Sequence, residues 1–78
     1  MFKFTIIGDK PIYAYGFRDF LEKFRNGSFF PEKDMKTFMQ EVSKRSRFLS
    51  KVPIRTDSEE HFVQDLISIG FVGIEDTN

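Results

Sequence analysis

A single histidine, His61, stands among the carboxylates Glu59, Glu60 and Asp65, and an arginine, Arg18, follows two glycines into an aromatic-rich segment. These are the residues whose types and spacing could do chemistry. His61 and a neighbouring carboxylate could offer two metal ligands at helical spacing. With no cysteine in the chain and no His-Glu-x-x-His arrangement, no metal site is expected. The serines at 28, 43, 46, 50, 58 and 68 lack a Gly-x-Ser-x-Gly setting, so any nucleophilic triad would have to be built on His61. Gly8 and Gly16 fit neither the phosphate-loop nor the dinucleotide fingerprint, and no cofactor is expected.

The stretch Gly8 to Phe20 runs from the end of an apolar strand into a helix. Backbone N–H groups at such a helix start, over Tyr15, Gly16, Phe17 and Arg18, could cradle an oxyanion with the Arg18 guanidinium beside them. In the alternative, Gly16 relieves crowding and Arg18 is a solvated residue on the polar face of the helix. Gly8, Gly16 and the run Phe17-Arg18-Asp19-Phe20 resemble the acylphosphatase family, whose first strand and glycine loop lead into Phe-Arg-x-Phe. The resemblance covers about a quarter of the chain. It implies that Arg18 would hold an acyl-phosphate and that the fold would be ferredoxin-like. The Gln-Gly pair and the Gly-Trp-Val-x-Asn segment of that family have no counterpart, and the loop is longer by about two residues.

Two binding surfaces are also legible. Lys44, Arg45, Arg47 and Lys51 surround Phe48, an arrangement that could contact phosphates and stack on a base if Phe48 does not turn into the core. Eleven Phe and two Tyr in 78 residues exceed what so small a core needs, so some of Tyr13, Tyr15, Phe29 and Phe30 are expected at a protein interface. Phe29-Phe30, between Gly27-Ser28 and Pro31, is the expected anchor, with a loop plug under the core as the alternative.

The elements that must position these groups follow from periodicity. Phe2 to Ile7 alternates and stops at Gly8, as a strand does. Phe17, Phe20, Leu21 and Phe24 form one face of a helix from about Tyr15 to Arg25. Pro31 to Asp34 opens a second helix, placed at Glu32 to Arg45, with Met35, Phe38, Met39 and Val42 inward. Phe48 to Ile54 is β-prone, with Pro53 arguing for an edge. Thr56 with Glu59, or Asp57 with Glu60, has capping-box spacing before a third helix that Gly70 ends. Phe71 to Glu75 is a last strand, and Asp76-Thr77-Asn78 is expected to fray.

The expected fold is therefore α+β, a small three-stranded sheet with three helices packed on one side, in the order strand-helix-helix-strand-helix-strand. Residues 1–78 read as one domain. Core positions are Phe4, Ile6, Phe17, Phe20, Leu21, Phe24, Phe38, Met39, Val42, Val52, Ile54, Phe62, Leu66 and Ile69.

Twelve basic and twelve acidic residues cancel, which excludes a strong overall pull toward nucleic acid or anionic lipid. Locally the charges separate. Residues 32–51 carry an excess of three positive charges, whereas residues 57–78 hold six carboxylates and no Lys or Arg. With no membrane-length apolar run and no signal peptide, a soluble cytoplasmic protein is expected. These residues favour a non-enzymatic regulatory or accessory protein that binds another protein or a second copy of itself. An acylphosphatase-like hydrolase using Arg18 and a nucleic-acid-binding module using residues 44–51 are the alternatives.

Overall fold

The computed structural model describes residues 1–27, 34–49, 51 and 53–77. Three strands and three α-helices build an α+β fold: β1 (Phe2–Ile6), β2 (Ile12–Ala14), α1 (Phe17–Asn26), α2 (Met35–Arg45), α3 (Glu59–Ser68) and β3 (Val72–Asp76). A 3₁₀ turn, Ser46–Phe48, extends α2.

The sheet has the order β2-β1-β3, and both pairings are antiparallel. Ile6 to Asp9 closes as a tight turn, with the Asp9 N–H on the Ile6 carbonyl at 3.1 Å. Its third residue needs a positive φ, which Gly8 supplies at +76°. Phe4, Ile6, Ala14 and Val72 share one face of the sheet and are buried, while Thr5, Tyr13, Gly73 and Glu75 on the other face are exposed. All three helices therefore cover one side.

The second strand is a correction to the sequence reading. It lies at Ile12–Ala14, in the expected loop, and the expected strand Phe48 to Ile54 has no strand among its described residues. Pro53 has no N–H for a ladder, and the hairpin formed by β1 and β2 already occupies that side of β1. The start of α3 differs too. Its N-cap is Ser58, whose hydroxyl accepts the His61 N–H at 3.1 Å, and neither capping box forms. This phase puts Phe62, Val63 and Leu66 inward and leaves Asp57 for the His61 ring. Of the second helix expected from Glu32, residues 32 and 33 fall outside the described residues; Asp34 caps α2, its carboxylate accepting the Thr37 N–H at 2.7 Å.

The core is an aromatic column. Phe4 of β1 stacks on Phe20 of α1 with centroids 4.3 Å apart, and Phe20 leads through Phe24 to an edge-on contact with Phe38 of α2 at 4.9 Å. Leu21, Met39, Val42, Ile54, Phe62, Val63, Leu66, Phe71 and Val72 close around it. Phe17 and Ile69, expected inside, are half-buried at its margin, and Val52 lies outside the described residues.

α3 ends in two reciprocal bonds, Phe71 N–H to the Leu66 carbonyl and Gly70 N–H to the Ile67 carbonyl, with Gly70 at φ +83°. That left-handed residue turns the chain back into β3. Where the sequence suggested a loose tail, Asp76 completes β3, and the Thr77 N–H and hydroxyl both donate to the Met1 carbonyl, at 3.2 and 3.0 Å. Among the described residues no helix is long and apolar enough to cross a membrane.

Candidate functional site

Tyr15, Gly16, Phe17 and Arg18 do come together at a helix start, with Gly16 as the N-cap of α1. The carboxylate that answers this positive end is internal. Asp19 Oδ2 accepts the Tyr15 N–H at 3.0 Å and lies 3.3 Å from Lys23 Nζ, and these contacts hold its carboxyl below the usual range, the Tyr15 bond first. Lys23 also donates to the Tyr13 carbonyl at 2.7 Å, tying α1 to the rim of β2. The Arg18 side chain is 81 % exposed and reaches Glu22 at 3.8 Å and Glu59 at 3.9 Å. An incoming anion would meet three carboxylates around this arginine and the Tyr15 amide.

The carboxylates near His61 are each directed elsewhere or to its own ring. Asp57 approaches Nδ1 at 3.1 Å, and that hydrogen bond draws the Asp57 carboxyl downward; Glu59 turns to Arg18, and Asp65 to Arg55. Among the described residues no three His, Asp or Glu side chains are grouped to hold a metal ion. The Asp57–His61 pair was missed in the sequence, although its i, i+4 spacing is a readable signal.

The basic segment builds a different surface. Lys44 and Arg45 end α2, where cations offset the helix dipole, and the 3₁₀ turn then carries Arg47 and Phe48 outward. Ser46 fixes this turn: it is fully buried, and its hydroxyl donates to the Ser43 carbonyl at 2.9 Å. Phe48 is 70 % exposed; only its edge meets Phe71, at 6.5 Å between centroids. The expected inward turn of Phe48 thus does not occur, because the chain is still helical there and points the ring past the core. Ile7, whose N–H bonds the Phe71 carbonyl, and Leu49, next to Phe48 in the chain, are also exposed. Among the described residues none of Lys44, Arg45, Arg47 and Lys51 has a carboxylate partner.

Of the four expected interface aromatics, Tyr15 is 74 % exposed and Tyr13 47 %, while Phe29 and Phe30 lie outside the described residues. A cleft of about 250 Å³ separates the end of α2 from the segment Pro53–Thr56, lined by Gln40, Ser43, Lys44, Arg47, Pro53, Ile54 and Thr56. Its α2 wall follows the helical spacing i, i+3, i+4, i+7. Thr56 joins only through the fold.

Comparison with protein-family models, with curated proteins and with solved structures returned no match.

Proposed function

We propose that the protein is a non-catalytic accessory or regulatory module of the cytoplasm that acts by contact with another protein through the surface centred on Phe48. One observation carries this reading: a large aromatic side chain held 70 % exposed on a 3₁₀ turn, with Ile7 and Leu49 exposed nearby. Covering a phenylalanine is worth about 1.5–3 kcal/mol, which makes an anchor of it. The unpartnered Arg45, Arg47 and Lys51, within three residues of it in the chain, would steer an acidic partner. Affinity isolation from the native cell should recover a stoichiometric partner with the wild type and lose it with Phe48→Ala. Because the ring is exposed, that variant should keep the wild-type melting temperature nearly unchanged. A Phe29→Ala/Phe30→Ala pair tests the second anchor. If the wild type recovers no protein, or if the Phe48 variant recovers it equally well, the reading fails.

The same ring among unpartnered cations supports a second reading, single-stranded nucleic acid, with Phe48 stacking on a base. Affinity for an oligonucleotide should then fall steeply with salt and weaken in an Arg45→Gln/Arg47→Gln/Lys51→Gln variant. Unchanged affinity in that variant removes this reading.

A further inference from the structure

We propose that the cleft between the end of α2 and the segment Pro53–Thr56 binds a small phosphate monoester. This goes beyond the contact surface at Phe48, which lies outside the cleft lining. Five polar side chains converge there: Gln40, Ser43, Lys44 and Arg47 from the α2 side and Thr56 from the opposite wall. Among the described residues none of these five side chains makes a hydrogen bond or ion pair within the chain.

Arg18, Lys23 and Arg55, by contrast, are matched to Glu22 and Glu59, to Asp19, and to Asp65. Among the described residues no carboxylate lines this cleft, whereas the neighbouring one beside Met35 and Met39 includes Asp57 and Glu59. The negative end of the α2 dipole, about half a charge, opposes an anion here, but Lys44 and Arg47 bring two full positive charges.

The donor set selects the ligand. Ammonium and guanidinium groups only donate, and two hydroxyls and a carboxamide can donate beside them, which matches the several oxygens of a phosphate better than the two of a carboxylate. The volume of about 250 Å³ lies below that of a usual drug-sized pocket and suits a phosphate with a small substituent against Pro53 and Ile54. The far wall is fixed: Ile54 is buried, and Arg55 is clamped to Asp65 by both its guanidinium and its backbone N–H.

Amide shifts of the full chain during titration with phenyl phosphate, at ionic strength held constant with sodium chloride, test the proposal. Saturable shifts are expected at Ser43, Lys44, Arg47, Ile54 and Thr56. Lys44→Gln/Arg47→Gln should weaken binding about tenfold or more, and Arg45→Gln/Lys51→Gln should not. Both variants change exposed side chains, and an unchanged melting temperature verifies that they fold. Inorganic phosphate should bind at the same amides more weakly, since it lacks the substituent. The proposal is overturned by non-saturating shifts, by an equal response to chloride, by binding retained in the Lys44/Arg47 variant, or by shifts centred on Tyr15 to Arg18. Tighter binding of oligothymidylate than of phenyl phosphate at these residues would also overturn it, by assigning the phosphate to a nucleic-acid backbone.

Discussion

The Asp65 carboxylate accepts three hydrogen bonds from one residue: Arg55 Nε at 3.0 Å, Nη2 at 2.8 Å and the Arg55 backbone N–H at 2.9 Å. A carboxylate on α3 thereby grips both the side chain and the main chain of the extended segment leading into that helix. The contact fixes a segment that has no strand ladder to hold it.

The clamp predicts an acid limb in the stability profile. Hydrogen bonds from the Arg55 guanidinium and then its amide hold the Asp65 carboxyl below its usual range. In the unfolded chain it returns to about 3.9, so the folded state binds the proton less tightly and protonation favours unfolding. The contribution is complete above the ordinary carboxylate pKa and is lost as pH falls through the depressed folded value. The melting temperature should stay flat from neutral pH to about pH 4 and drop below it. Asp65→Asn should lower it at neutral pH and make the acid limb shallower. Asp19, Asp34 and Asp57 are shifted the same way and keep the limb from vanishing. An acid limb unchanged in Asp65→Asn would show that the clamp contributes nothing to stability.

The aromatic column should be the most sensitive part of the core. Phe20 is fully buried and touches both Phe4 and Phe24, so Phe20→Ala should cost about 3–5 kcal/mol. A chain of this length has roughly 4–12 kcal/mol in total. Urea titration followed by circular dichroism should find Phe20→Ala largely unfolded or close to it. A cost under about 1 kcal/mol would mean that the stack is not formed.

Both ends of α3 offer graded tests. Ser58→Ala removes the cap on the His61 amide and should cost about 1 kcal/mol, whereas Ser58→Asp should retain most of it. At Gly70 an added Cβ would meet nothing within 4 Å, so the penalty of Gly70→Ala, about 1 kcal/mol, comes from the backbone at φ +83° alone. Gly70→Asn should be milder, since asparagine tolerates that conformation. Equal losses for Ala and Asn, measured by chemical denaturation, would point to packing as the cause.

Hydrogen exchange should alternate along β3. Bonds from Ile7 N–H to Phe71 and from Thr77 N–H to Met1 show that odd-numbered residues of this edge face β1. Val72 and Ile74 therefore turn their N–H groups away from β1, toward an edge with no further strand among the described residues. The Ile74 amide should exchange fast and the Gly73 and Glu75 amides slowly. Slow exchange at Ile74 would require another strand on that edge.

Much of this architecture was legible because long periodic runs dominate it. Phe4 and Ile6 against Thr5, and Phe20 with Leu21 and Phe24, could face only one way, and both landed in the core. The β2 strand was not legible: three residues after Pro11 are too few for alternation to register, and only the turn at Gly8 brings them beside β1. Phe48 misled because β-propensity describes fit to a half-buried sheet, and here the chain continues helically past Ser46. Of the candidate surfaces, the cations at Lys44 to Arg47 were visible in sequence. Their lack of carboxylate partners and the facing hydroxyl of Thr56 depend on long-range folding.

The sheet order has a consequence for how the chain is made. Of the three strands of this sheet β1 is made first and is the central one, and one of its two neighbours is β3, the last element of the fold. The hairpin with β2 can form early because its closure is local, but Phe4 and Ile6 keep one open flank until residues 72–76 emerge. Until then the column of phenylalanines on α1 has only part of its cover. This open flank is the apolar surface on which a slow translation step or a holdase chaperone would act before the sheet closes.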